Sequence, residues 1–426
     1  MHYKLALLIF FIVIVMRKTN SEELEKAISF GGFAYYQIGQ VVTSTDPDGA
    51  TTGLPDKSWD QHVNIRFTMD ALIQKRLRII AGAELGMATF AKGSGGGTSL
   101  NTGFSAKEAQ GIYTFGDDPL SKTPIFQVAL GYFPFKYNPQ ATNMGEYLYN
   151  YRTGSYPAYI INDFDNCKSR LLGLRMSSVI LGILRQDLLL TSEMVVGSNG
   201  NTPVGDYSLS YLVGYKILKI FDVGAGINLS RLIPLNPTLT TNSNNIVNDE
   251  NGPVIENGDT LRLTLKSTKL MARFTFNPKR FFPELSIFGQ EDGKIYSEVA
   301  VLGIKNYGTI FNDVIQRIPI LVGINIPALK TLDVLSLELE YFGYPGNLTI
   351  SQGSPVPISL GDEFSSQQMF RWSLFAQKTL VKGFCIKGLV GKDHFRTVDA
   401  GGSVTNEELL RGKGNWHYNL RFMYSF

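Results

Sequence analysis

The sequence predicts an all-β fold: a transmembrane, antiparallel, up-and-down β-barrel of about sixteen strands, within fourteen to eighteen, preceded by a signal peptide. Three observations carry this. Apolar residues recur with period two along most of the chain, polar connections alternate between short and long, and no stretch offers the roughly 18 apolar residues of a spanning helix.

Period two is plain in 62–72. Val63, Ile65, Phe67, Met69 and Ala71 alternate with Asn64, Arg66, Thr68 and Asp70, so one face suits lipid and the other water. The same alternation runs through Phe221, Val223, Ala225 and Ile227, through Leu335, Leu337, Leu339 and Tyr341, and through Phe370, Trp372, Leu374 and Ala376. Tracing the chain up and down places strands at 28–38, 62–72, 77–88, 109–116, 125–135, 169–180, 185–196, 206–217, 220–231, 261–276, 294–304, 317–327, 332–342, 369–380, 383–394 and 416–426. Short connections fall near 73–76, 181–184, 218–219, 328–331 and 381–382. Long polar ones fall near 39–61, 89–109, 136–168, 232–259, 343–368 and 395–415. A soluble β-sandwich has no reason to segregate its connections, whereas a membrane barrel has short turns at one end and long loops at the other. Closure follows, because an open strand edge in lipid would leave backbone groups unsatisfied.

The N-terminus reads as a targeting segment. Lys4 precedes an unbroken apolar run from Leu5 to Met16, too short to span a bilayer and the length of a secretory core, with Thr19 and Ser21 as small residues before a cleavage site after Ser21. An uncleaved anchor is the alternative. The expected organisation is 1–21 signal peptide and 22–426 barrel with long extracellular loops.

Composition narrows the function classes. With 40 Lys+Arg against 37 Asp+Glu the formal charge is +3, and the charged fraction of 18% lies below the roughly 25% of a soluble domain. That balance lacks the basic footprint of a nucleic-acid binder, so no nucleic-acid partner is expected. An apolar share of 44% excludes a disordered chain. Cys167 and Cys385 are too few for a disulfide scaffold and lack metal-ligand spacing, although they could pair.

The last strand alternates Tyr418, Leu420, Phe422, Tyr424 and Phe426 on one face with Asn419, Arg421 and Ser425 on the other. A chain ending in an aromatic on such a strand resembles the C-terminal assembly signal of bacterial outer-membrane barrels. The resemblance implies a Gram-negative outer membrane, periplasmic chaperones, the barrel-assembly machinery, contact with lipid and lipopolysaccharide, and closure of the first strand on the last. The strand count resembles that of the 16-stranded porins, which implies passage of small solutes, a homotrimer, and a third outer loop folded into the lumen. The third long connection here, 136–168, carries Tyr147, Tyr149, Tyr151, Tyr156 and Tyr159 with Arg152, Asp163 and Asp165. Its tyrosines could line a constriction, or form a packed external loop. The acidic Pro-Glu-Phe-Gly-Gly-Asp signature of general porins is absent.

Strand parity turns Arg66, Asp70, Arg78, Glu84, Arg175, Asp187, Glu193, Arg273, Glu338, Glu340, Arg371 and Arg421 toward the lumen, where charges set ion preference or pair across the wall. The expected constriction sets Asp163 and Asp165 against Arg66, Arg78 and Arg175. Glu338 and Glu340, about 6–7 Å apart along a strand, read as wall charges rather than a catalytic pair. The scarce histidines, His62, His394 and His417 outside the N-terminal segment, offer only Lys392-Asp393-His394 as a local hint of acid–base chemistry. The cluster Lys92-Gly93-Ser94-Gly95-Gly96-Gly97 lacks the strand and helix of a phosphate cradle and reads as a loop. No catalytic residue, cofactor or metal is expected. The leading expectation is a channel for passive diffusion of small hydrophilic solutes; the alternative is a structural, adhesive or assembly barrel working through its extracellular loops.

Overall fold

The computed structural model describes residues 28–43, 57–73, 76–91, 98–115, 125–150, 160–163, 166–180, 182–192, 207–217, 220–233, 267–281, 288–301, 318–342, 369–392 and 414–426, with isolated short stretches between them. The N-terminal segment expected to direct export lies outside them. Sixteen strands form the wall: β1 (Ile28–Thr43), β2 (Trp59–Ile73), β3 (Leu77–Ala91), β4 (Thr98–Phe115), β5 (Phe126–Phe135), β6 (Asn166–Ile180), β7 (Leu184–Ser192), β8 (Tyr207–Ile217), β9 (Phe221–Ile233), β10 (Ser267–Phe276), β11 (Ile295–Val301), β12 (Ile320–Asn325), β13 (Val334–Phe342), β14 (Met369–Val381), β15 (Phe384–Lys392) and β16 (Trp416–Ser425). Each pairs antiparallel with the next, and β16 pairs with β1, so the sheet is a closed barrel. All sixteen expected strands are present.

Alternation along each strand sorts the two surfaces. Outward positions such as Phe67, Leu85, Phe104, Leu130 and Phe370 are exposed, while the inward neighbours Arg66, Asp187, Glu338, Arg371 and Arg421 are buried. Aromatic rings cluster where the outer surface ends: Phe115–Phe126 at 5.3 Å and Phe221–Phe276 at 5.1 Å on the turn side, Trp59–Tyr418 at 6.4 Å on the loop side. An apolar belt between aromatic girdles is what a lipid-facing barrel requires.

Two expectations are corrected. The long polar connection at 89–109 is mostly strand, because β4 begins at Thr98 rather than at 109. A register shift opposite Gly82 and Ala83 leaves Lys107 as an extra residue, which flips the parity and hides the alternation from a period-two reading. Turn-side connections are also not uniformly short. The chain between β10 and β11 includes a 3-10 turn, Pro278–Phe281, and a second turn in which Gly289 N donates to Asp292 Oδ2 at 2.8 Å.

Closure is tight where the chain ends meet. Gly32 N donates to Phe426 O and Phe426 N to Gly32 O, both at 3.1 Å. A Cβ on Gly32 would collide with the Arg66 carbonyl oxygen and lie 2.9 Å from the Phe426 ring. Gly32→Val and deletion of Phe426 should therefore both prevent closure, read as loss of the fast-migrating folded band on unheated gels; normal heat-modifiable barrel in either variant would refute the closure argument.

Candidate functional site

The chain leaving β5 turns into the barrel. Residues 137–149 run along the inner wall, are largely buried, and contain a single helical turn, α1 (Tyr147–Asn150). Apolar side chains hold one side of this segment. Tyr137, Ala141, Met144, Tyr147, Leu148 and Tyr149 pack with Phe133 and Phe135 of β5 and with the inward-facing Leu189, Leu212, Met271, Tyr296, Ala300 and Leu321 of the wall. The inner face is therefore not uniformly polar: from β7 to β12 it carries an apolar strip that the segment covers.

Two wall carboxylates hold the backbone. On β13, Glu338 Oε2 accepts from Asn143 N at 2.8 Å and Met144 N at 3.0 Å, and its Oε1 accepts from Thr142 N and, at 2.8 Å, from Tyr296 Oη. Tyr296 reaches β13 from β11 by lying across Gly323 of β12, where any Cβ would enter its ring. On β11, Glu298 Oε1 accepts from Tyr137 Oη at 2.7 Å and Tyr147 N at 2.9 Å, while Oε2 accepts from Asn138 Nδ2 at 2.8 Å and Glu146 N at 3.1 Å. Glu146 in turn accepts from the backbone of Tyr137, at 3.1 Å, and of Asn138. Leu148 N finds Tyr137 Oη at 3.0 Å and Tyr149 N the carbonyl of Glu146 at 3.0 Å. Buried N–H groups need such partners, and charged acceptors give the stronger bonds.

The approach is close enough to dictate sequence. Gly145 has φ 84°, and a Cβ there would sit 2.9 Å from Glu298 Oε2 and 2.9 Å from Leu321 Cδ2. Glu146 follows at φ 60°, left-handed for a residue with a side chain. Burial, with Glu298 and Glu146 alongside, holds the Tyr137 phenol well above its usual range, so it remains a donor.

The expected site residues divide as follows. Tyr147, Glu338, Glu340 and Arg371 come together: Tyr147 Oη donates to Glu340 Oε2 at 3.0 Å, and Arg371 Nη1 lies 3.3 Å from Glu340 Oε1. Arg66 pairs with Glu108 at 3.4 Å, Arg78 with Asp70, and Arg175 Nε with Asp187 Oδ1 at 2.9 Å. Tyr151, Tyr156 and Asp165 lie outside the described residues, and Asp163 is described only by its backbone, in the short strand Ile160–Asp163 beside β6. The assembly residues Tyr418, Leu420, Phe422 and Tyr424 lie on β16, with Phe426 directly after it. Sequence reasoning missed Glu298, Tyr296 and Glu146. A signal existed: Leu188-Leu189-Leu190, Leu270-Met271-Ala272 and Ile320-Leu321-Val322 are apolar on both faces, which marks wall covered from inside. It also missed Asp60, whose Oδ2 lies 2.5 Å from His62 Nε2 on the inner face of β2.

No family model and no curated protein matches the sequence. Among solved structures, the barrel is similar to a double mutant of the porin of Rh. blastica (9% identity, 94% of this chain and 100% of the other, TM-score 0.43). It is likewise similar to a triple mutant of the Rhodopseudomonas blastica porin (8% identity, 94% and 100%, TM-score 0.41). The fold assignment rests on the strand register itself, a sixteen-stranded closed antiparallel barrel.

Two outcomes follow. Glu338→Ala strands the buried N–H groups of Asn143 and Met144, each costing on the order of 1–3 kcal/mol, with the half-buried one of Thr142, and should release the segment; protease cleavage within 137–150 should rise at least tenfold while the heat-modifiable barrel persists. Equal resistance in the variant would remove Glu338 as the clamp. Burial, then the neighbouring Glu298, push the Glu146 carboxyl from 4.5 up to about 8. The docked segment therefore keeps a proton that the released segment loses, so docking is firmest below pH 4.5, weakens as pH rises, and levels off above about 8. The cleavage rate of wild type relative to Glu146→Gln should climb between pH 5 and 8; a flat ratio would contradict this.

Proposed function

We propose that the protein is a porin-like channel for passive diffusion of small hydrophilic solutes across a Gram-negative outer membrane, and that the segment 137–150 sets its effective radius. The observation that carries this reading is the segment itself. A length of backbone fixed to the inner wall of a closed barrel narrows the lumen, which a barrel serving only as a surface platform does not need. The apolar belt with aromatic ends supports a place in lipid. The inner wall supports aqueous passage, because its remaining length is lined by Arg66, Asp70, Arg78, Glu84 and Arg175.

In this reading residues 1–21 direct export, the aromatic face of β16 is read by the barrel-assembly machinery, the long connections face the cell exterior, and three copies associate. The chemistry asked of the chain is positioning and electrostatics, with no catalytic step. Lumen charge selects among solutes, and in this reading Tyr151 and Tyr156, which follow the buried tyrosines of the segment, add flat amphipathic faces.

Planar-bilayer recording of the purified protein tests this directly. Discrete ohmic steps are expected, and removal of 138–148 should raise their conductance several-fold. A barrel that inserts without conducting would favour the platform alternative. Unchanged conductance after the deletion would put the narrowing elsewhere.

A further inference from the structure

Inward-facing residues of four neighbouring strands stand side by side at the turn end: Arg185 on β7, Gly214 on β8, Gly224 on β9 and Arg273 on β10. Between the two arginines the wall is bare backbone. Arg273 lies flat across it: a Cβ on Gly224 would be 2.7 Å from its Nε, and one on Gly214 would be 2.8 Å from its Nη2. Its guanidinium thus reaches the residue directly opposite Arg185. Two residues along the same face of β8 is Lys216, exposed and opposite Asp222. Arg273 thus lies over Gly214, with Arg185 across from it in register and Lys216 two residues along.

The local carboxylates do not balance them. Asp187 is shared, accepting from Arg175 Nε at 2.9 Å and from Arg185 Nε at 2.8 Å. Asp222 lies 2.9 Å from Arg273 Nη2. Glu298, opposite Arg273 on β11, is taken up by the inserted segment. Counting it, four cations face three carboxylates. Arg273 is 9% exposed in its side chain, and its buried Nη1 has no hydrogen-bond acceptor among the described residues, whereas Arg185 is 49% exposed and open to a solute. A guanidinium with one unmatched N–H, near a second guanidinium and an ammonium, is chemistry that recognises a planar or tetrahedral oxyanion and repels cations.

We propose that this glycine-floored patch, formed by Arg185, Lys216 and Arg273 around Gly214, is a binding site for a small oxyanion, a phosphate or the phosphate or carboxylate end of a small solute. The glycines let the Arg273 guanidinium lie flat on the backbone, with the exposed Arg185 and Lys216 on the neighbouring strands beside it. The site lies inside the wall near the turn end, where a dissolved anion reaches it and a lipid headgroup does not. Binding does not require conduction, so the channel reading and this one fail separately.

The test uses inorganic phosphate and the full-length protein folded in detergent micelles. Titrating the barrel into phosphate should broaden its ³¹P resonance saturably. The exposed pair Arg185→Gln with Lys216→Gln should weaken the effect at least tenfold, as expected for loss of two charge-assisted bonds. Lys382→Gln, an exposed turn-side cation between β14 and β15, should leave it unchanged. Heat-modifiable mobility establishes that each variant is folded. In bilayers, phosphate on the turn side should reduce chloride current in wild type and not in the double variant. Absence of ³¹P broadening, or equal broadening in the double variant, overturns the proposal.

Discussion

The structure inside this barrel depends on two carboxylates meeting backbone N–H groups. A segment of irregular chain cannot lie against a wall of a closed sheet unless its amides find acceptors, because the wall strands have already used theirs on one another. Glu298 and Glu338 supply them, and each does so with both oxygens. The apolar packing of Met144, Tyr147 and Leu148 then adds burial to a placement the carboxylates have fixed.

That arrangement redistributes charge across the lumen. Acidic side chains of β11 and β13, which parity alone turns toward water, are covered by the segment they hold. Toward the turn end, Arg175 and Arg185 compete for one aspartate and Arg273, next to Glu298 in register, lies across glycine. The wall thus divides into a part that holds protein and a part that presents cations to whatever enters.

The fold was legible because a lipid-facing barrel must alternate, and strands such as 62–72 and 369–380 do so without interruption. Where the alternation failed, the cause was local: the extra residue Lys107 in β4 switches the faces within one strand. The site was less legible. Arg66, Arg175, Glu338 and Glu340 were found as inward charges, but their partners are set by register between strands up to hundreds of residues apart in sequence, which periodicity does not encode. The joining of Tyr296 to Glu338 across Gly323 is such a case, since it needs three strands in one row. The inserted segment itself is short on signal because its contacts to the carboxylates run mainly through its backbone.

That last property shapes how the barrel interior can change. A tether that reads amides is indifferent to most of the letters it holds. Positions 139 and 140, whose side chains are not fully buried, can be rewritten, provided residue 145 stays glycine and the amides stay in place, and the protein will still thread the same path. New inner surfaces can therefore arise by drift along one short stretch, without renegotiating the wall around it.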